Sequence, residues 1–363
     1  MKSSFKIGSL LGIPVKLHIT FLLILPVFAL VFSINEPPLG FAGTTPLILN
    51  YALSLLTTIL LFVCILLHEL GHSYIAKSYG VEIKDITLLL FGGVSSMEEI
   101  PREPSQELRM AFAGPFVSFV IGVVLLGMNF IVSSLIPEYA DTSIYLMFSI
   151  LGFINIVLGL FNLLPAFPMD GGRLLRAWYA KRMSYIKATH YAASFGKIFA
   201  VMMGLFGLFF NPWLILIALF VYIGASEEDK STTISILLEK YYVRDIMTQD
   251  VLSVPPDISV EELAKFMFEN KHLGYPVIQG NSLKGIVTFT DIRNILPNDR
   301  FATLVSDIMT RDIISVSPDD TASDAFKVMT INNIGRLLVV RDDELVGILS
   351  RSDLMRTMML LNE

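Results

Sequence analysis

Residues 61–72 read Leu61-Phe62-Val63-Cys64-Ile65-Leu66-Leu67-His68-Glu69-Leu70-Gly71-His72, an apolar run that passes straight into a His-Glu-x-x-His pattern. On an α-helix, residues four apart share a face, so His68 and His72 can turn ring nitrogens toward one tetrahedral cation, with Glu69 beside them as a general base. The pattern points to one zinc ion per chain. Ionisable groups inside an apolar span are expensive and usually functional, which weighs against two histidines merely satisfied by their neighbours.

The rest of the chain explains the setting of that run. Of 363 residues, 53% are hydrophobic, and the mean hydropathy of +0.64 is too high for an ordinary soluble protein. Lysine and arginine are absent from 17–76 and from 111–172, whereas charges are frequent from Ser226 onward, so the chain divides into a membrane half and a soluble half. A net charge of −6 gives no reason to expect a nucleic-acid partner. The single cysteine, Cys64, excludes an intrachain disulfide and reads as a small buried hydrophobe one turn before His68. No cleavable signal peptide is expected, because the first apolar run starts after about seventeen residues and lacks a small-residue cleavage site.

About six apolar runs are long enough to span a bilayer, or nearly so: 18–34, 46–76, 108–135, 144–164, 191–210 and the shorter 213–224. Their cationic ends fall on one side, with Lys2, Lys6 and Lys16, then Lys77, Lys84, Arg102 and Arg109, then Arg173, Arg176, Lys181, Arg182, Lys187 and Lys197. The opposite connections, 35–45, 137–143 and 211–212, carry none. The positive-inside rule therefore predicts a multi-pass protein of the cell membrane with both termini cytoplasmic and His68 and His72 near the cytoplasmic end of the second span. Between the second and third spans, 81–99 reads as extended, with Gly92-Gly93 in its middle. Two readings stand: a hairpin turn, or an edge strand on which an unwound peptide could pair.

Two histidines leave a catalytic zinc one protein ligand short, because a fourth position is kept for water. Asp141 lies on the uncharged side, and Glu98 and Glu99 read as solvated loop beside Arg102 and Glu103. Asp170 closes Phe161-Asn162-Leu-Leu-Pro165-Ala-Phe-Pro168-Met-Asp170-Gly171-Gly172, where prolines break the fourth span on the side of the histidines. A divalent cation would offset the roughly 3 kcal/mol that a carboxylate costs in a span, so Asp170 is the expected third ligand, with a surface turn before Gly171-Gly172 as the alternative.

His68-Glu69-x-x-His72 followed by Asn162-x-x-Pro165-x-x-x-x-Asp170-Gly171, with Gly92-Gly93 and Ala113-Gly114-Pro115 between them, resembles the site-2 protease family of intramembrane zinc metalloproteases. The resemblance implies cleavage of transmembrane or membrane-anchored protein substrates in the lipid bilayer, with His68, His72 and Asp170 holding zinc and Glu69 as base. It also implies that Asn162 holds the scissile carbonyl or its oxyanion; an interhelical hydrogen bond is the structural alternative for that side chain.

Beyond a polar linker at 226–242, Val243-Arg-Asp-Ile-Met-Thr248 recurs as Val305-Ser-Asp-Ile-Met-Thr310, and Gly285-Ile-Val-Thr-Phe-Thr-Asp291 as Gly347-Ile-Leu-Ser-Arg-Ser-Asp353. Each copy reads strand, helix, two strands, helix, and such copies bury their faces on each other. This half resembles a tandem CBS pair. That resemblance implies an adenosine nucleotide such as ATP, held by Thr288 and Asp291 in one half-site and by Ser350 and Asp353 in the other, and a homodimer formed through the pair. The alternative for Asp291 and Asp353 is plain helix capping. The expected architecture is a polytopic α-helical membrane domain with a small β segment at 1–225, the linker, and an α+β tandem CBS pair at 243–300 and 301–363. The rival function is a transporter or channel gated by the pair, but such a protein has no need of Glu69 beside His68 and His72.

Overall fold

The chain enters through a hairpin. Strands β1 (Ser4–Leu10) and β2 (Ile13–His18) pair antiparallel around Leu11 and Gly12, whose φ angles of 52° and 80° give the left-handed turn that matches strand twist. The computed structural model describes residues 4–89, 92–97, 101–280, 282–342 and 344–361, so Glu98 and Glu99 lie outside the described residues. They divide into two units, Met1–Lys230 and Ser231–Glu363.

In the first unit, His18 caps helix α1 (Ile19–Ile34), its Nδ1 accepting from the Thr20 amide at 3.3 Å, and the long helix α2 (Leu47–Ser78) follows. Strands β3 (Ile83–Leu89) and β4 (Gly92–Met97) come next as an antiparallel pair in which Leu88 faces Gly93. β3 also pairs parallel with β2, giving the order β1-β2-β3-β4 with β4 at one edge. The two glycines thus lie within an edge strand that is itself half of a hairpin. Ile13 and Ile86 bury against Leu70, and Leu88 against Phe62, which fixes the sheet beside the end of α2 that bears the histidines.

Helix α3 (Pro104–Leu135) begins where the Glu103 carboxylate accepts from the amides of Ser105 (3.3 Å) and Gln106 (3.0 Å). Helix α4 (Ser143–Asn162) lies against α3 at close range: a Cβ at Gly122 would stand 2.9 Å from the Gly152 carbonyl oxygen. Asn129 ties the same pair by donating to the Tyr145 carbonyl at 2.8 Å and the Ser149 hydroxyl at 2.9 Å. Small residues and a few polar cross-links are how helices associate in lipid, where no hydrophobic force separates helix from solvent. After the proline break come α5 (Asp170–Ala180), α6 (Tyr185–Phe210) and α7 (Trp213–Leu238).

Four of these helices are long and apolar enough to cross a membrane: α2, α3, α4 and α6. The expected first span is the shorter α1, of 16 residues, and the expected sixth is the first half of α7. The residues read as a polar linker, 226–242, are helical as far as Leu238.

The second unit shows the repeat as two packing cores. The first copy holds a short turn α8 (Val243–Ile246), α9 (Val260–Asn270), β5 (Gly274–Gln279), β6 (Ser282–Thr288) and α10 (Phe289–Arg293). The second holds α11 (Val305–Ile308), β7 (Ser315–Val316), α12 (Ala322–Ile331), β8 (Arg336–Arg341), β9 (Glu344–Ser350) and α13 (Arg351–Leu361). The leading segments are exchanged: Val243 and Met247 pack with Val316, Leu337 and Leu349, whereas Val305 and Met309 pack with Val254, Leu263 and Val287. Thr248 bridges Ile348 and Thr310 bridges Ile286, so each copy completes the other's sheet edge. Gly347 and Gly285 leave room for this, since a Cβ there would meet Thr248 O at 3.1 Å and Thr310 O at 2.6 Å respectively.

Candidate active site

His68 and His72 project from one face of α2, as the spacing of four requires, and both are buried. Their Nε2 atoms are 3.2 Å apart. Asp170, the first residue of α5, brings Oδ2 to 3.1 Å from His72 Nε2 and 3.4 Å from His68 Nε2. Three donor atoms at 2.0–2.1 Å from a tetrahedral zinc stand about 3.4 Å from one another, so this triangle has the size the ion demands. Among the described residues, this is the one group of His, Cys, Asp or Glu side chains that converges in this way.

The far nitrogen of each ring is already engaged. His68 Nδ1 lies 2.9 Å from Ser118 Oγ, and His72 Nδ1 lies 2.8 Å from the Met110 carbonyl oxygen, which can only accept. With the Nδ1 proton spent on that carbonyl, neutral His72 directs the Nε2 lone pair at the triangle, the arrangement in which outer contacts orient a ligand and raise its basicity. Both partners belong to α3, and so does Gly114, which lies on the imidazoles: a Cβ there would stand 2.6 Å from His68 Nε2 and run into His72 Nε2. Pro115 follows, removing the amide that would bond the Ala111 carbonyl.

Glu69 sits next to this triangle and is held from the sheet. Its Oε2 accepts from Ser95 Oγ at 3.1 Å, and Ser95 Oγ is 3.2 Å from Ser73 Oγ. Gly93 in β4 lies against the Glu69 side chain, leaving no space for a Cβ. Of the two sequence readings of Gly92-Gly93, a turn or an edge strand, the structure puts both glycines in the edge strand β4, and Gly93 brings its backbone up to the base.

The loop that delivers Asp170 is tightly folded. Ala166, Phe167 and Met169 are buried. A Cβ at Gly172 would come within 2.6 Å of the Phe167 amide nitrogen, and Gly171 lies hard against the Leu163 and Leu164 carbonyls. Asn162, at the end of α4, donates from Nδ2 to the Leu158 carbonyl of its own helix at 3.1 Å. The structure therefore brings His68, Glu69, His72 and Asp170 together, whereas Asn162 bonds within its own helix. Asp85, another acidic residue of this unit, pairs with Lys16 at 2.7 Å.

In the second unit, Thr288 and Ser350 are the last residues of β6 and β9, immediately before α10 and α13. Asp291 Oδ2 accepts from the Thr288 amide and hydroxyl, both at 2.7 Å, and Asp353 Oδ2 accepts from the Ser350 amide at 2.9 Å and hydroxyl at 2.6 Å. In this conformation the two aspartates act as helix caps.

Sequence reasoning missed the α3 contacts and the partners of one cation. Arg176, taken from the charge distribution as an interfacial residue, is only 1% exposed. Met110, Ser118 and Ser95 carried no local signal, although Ala113-Gly114-Pro115 in an apolar span marked the place on α3.

The family model Peptidase family M50 matches residues 56–137 and 127–205, and the CBS domain model matches 243–298 and 305–360. A zinc metalloprotease of Methanocaldococcus jannaschii is 40% identical over 364 residues, which is 99% of this chain and 98% of that protein. The stage IV sporulation protein FB of Bacillus subtilis is 29% identical over 58% of this chain and 74% of its own length. A solved site-2 protease from Methanocaldococcus jannaschii is 44% identical, with a TM-score of 0.44, over 62% of this chain and 95% of that one.

Proposed function

Because the chain belongs to peptidase family M50, the site-2 proteases, and is a multi-pass membrane zinc metalloprotease with a C-terminal pair of CBS domains, we propose that it hydrolyses peptide bonds of transmembrane or membrane-anchored proteins within the bilayer, near the cytoplasmic face. The observation that carries this reading is the convergence of His68, His72 and Asp170 with Glu69 alongside, three of the four on α2, a helix long enough to span.

His68 Nε2, His72 Nε2 and Asp170 Oδ2 would hold the zinc. When bound, zinc supplies Lewis acidity, polarising a carbonyl and making a water acidic near neutral pH. Glu69 accepts the proton of the attacking water on its carboxylate and delivers it to the departing amine nitrogen, while Ser95 keeps the carboxylate oriented. The edge strand β4 offers its backbone to an unwound substrate segment, and Gly93 lets that segment lie beside Glu69. Asn162 would turn its amide from Leu158 to the scissile carbonyl as charge develops there.

Glu69→Gln keeps the three ligand atoms and removes the base. It is expected to retain one zinc per chain and to lose cleavage of a membrane-spanning reporter by at least about 10²-fold, the lower end of what a positioned acid–base group contributes. Cleavage at the parent rate would overturn the protease reading.

For the second unit we propose an adenosine nucleotide site formed by Thr288 and Asp291 with Ser350 and Asp353, through which nucleotide alters proteolysis. Support comes from the recurrence of the same capped strand–helix turn in both copies, each with a carboxylate chemically suited to ribose hydroxyls once it leaves its cap. Titration of ATP and AMP into the full chain tests it, and the absence of both binding and any change in cleavage would overturn it.

A further inference from the structure

Asp170 begins α5 without a side-chain cap, since the residue before it is Met169. What fixes the far part of that helix is one buried cation. Arg176 donates from Nε to Glu107 Oε1 at 2.8 Å, brings Nη2 to 2.6 Å of the same oxygen, and donates from Nη1 to Glu228 Oε1 at 2.6 Å. Its guanidinium carbon lies 5.0 Å from the Phe167 ring centre and 4.9 Å from that of Tyr185, whose hydroxyl also donates to Glu107 Oε1 at 3.2 Å. A single side chain thus joins α5 to α3, to α6, to α7 and to the loop that delivers Asp170.

Glu107 is one turn before Met110, whose carbonyl holds His72, and two turns before Gly114, which lies on both imidazoles. We propose that Arg176 is a positioning residue for the zinc centre: by locking α5 to the helix that orients the histidines, it sets Asp170 Oδ2 against the two Nε2 atoms. This deepens the metalloprotease reading and rests on it. The lever is short, because six residues of helix rise about 9 Å, and a misplacement on the order of 1 Å is enough to spoil such a constellation.

A purely stabilising role fits the cluster poorly. Glu107 Oε1 takes all the donors, while Oε2 is buried with no hydrogen-bond partner among the described residues. Buried ion pairs are in general replaceable by apolar groups of the same volume with little loss of stability. What apolar groups cannot reproduce is a guanidinium fork with fixed directions.

The test uses the whole chain in detergent and three variants: Arg176→Lys, the double Arg176→Met/Glu107→Leu, which replaces the most buried pair by apolar groups, and Glu228→Gln. Zinc affinity is read by competition with a chromogenic chelator, thermal unfolding is read on the metal-free protein, and cleavage of a membrane-spanning reporter is read across zinc concentration. Arg176→Lys and the double variant are expected to bind zinc about 10-fold more weakly, the low end of what loss of a direct outer contact costs, since Arg176 acts on the ligands through the helices it joins, at an unchanged metal-free melting temperature. Their cleavage should recover as zinc is raised, and Glu228→Gln should shift the same way by less. Unchanged zinc affinity in Arg176→Lys, or a loss that only tracks the melting temperature, overturns the proposal. Should the parent bind zinc and the variants weaken it while no membrane reporter is cut, the positioning role stands and the protease reading falls.

Discussion

The two units use close backbone approach for different ends. In the first, Gly114 and Gly93 leave space for functional side chains: the imidazoles of His68 and His72 lie on one, and Glu69 on the other. In the second, Gly285 and Gly347 leave space for a neighbouring backbone, so that 305–310 and 243–248 can close the opposite copies. A site assembled from unlike segments cannot repair a misplaced atom from elsewhere, whereas a duplicated packing unit can give locally. The same substitution should therefore have unlike outcomes in the two places.

The largest effect is expected from Gly114→Ala. The added methyl would occupy the position of the imidazole Nε2 atoms, so either α3 withdraws or the rings turn. Zinc content should drop well below one per chain and cleavage should fall by at least about 10²-fold, with helix content by circular dichroism unchanged. Retained zinc would show that α3 gives way, and would break the distinction. Gly285→Ala and Gly347→Ala come next. Each should cost about 1–3 kcal/mol of stability in the second unit through overpacking, read as a lower unfolding midpoint, with zinc content at the parent level. The first should be the more costly, because its methyl would meet the Thr310 carbonyl at 2.6 Å, whereas at Gly347 the nearest atom is the flexible Met247 sulfur.

The same contrast governs how much was legible in the sequence. His68, Glu69 and His72 are read from one helical turn, and Asp170 from a proline break, because these signals are local. The repeat is legible because the sequence states it twice. The exchange of 243–248 and 305–310 is not, since nothing in either copy tells which core its leading segment joins. The β1–β2 hairpin went unread although Phe5 and Ile7, then Ile13, Val15 and Leu17, alternate with other residues, because both runs are short and Pro14 inside the second argues against a strand. Ser118 and Arg176 went unread for a third reason. Each depends on a partner 50 or 69 positions away, and helix register at that range is settled by packing alone. Positive-inside counting places an arginine along the chain and is silent on what its side chain packs against.

The smallest expected effect lies in a capping box of the second unit, where no function is at stake. Ser259 precedes α9, its hydroxyl accepts from the Glu262 amide at 3.2 Å, and Glu262 Oε2 accepts from the Ser259 amide and hydroxyl, both at 2.9 Å. Those donors, the backbone amide first and the hydroxyl second, hold the Glu262 carboxyl below its ordinary value. A carboxyl lowered in the folded state contributes stability that is fully present above its unfolded pKa, about 4.3, and disappears as pH falls through the lower folded value. Glu262→Gln should therefore lower the unfolding midpoint of the second unit slightly at neutral pH, by an amount independent of pH above about 6. The difference from the parent should close as pH drops below about 4, while zinc content stays level with the parent's at neutral pH. A difference that grows on acidification would mean that the amide side chain, and not the lost charge, disturbs the cap.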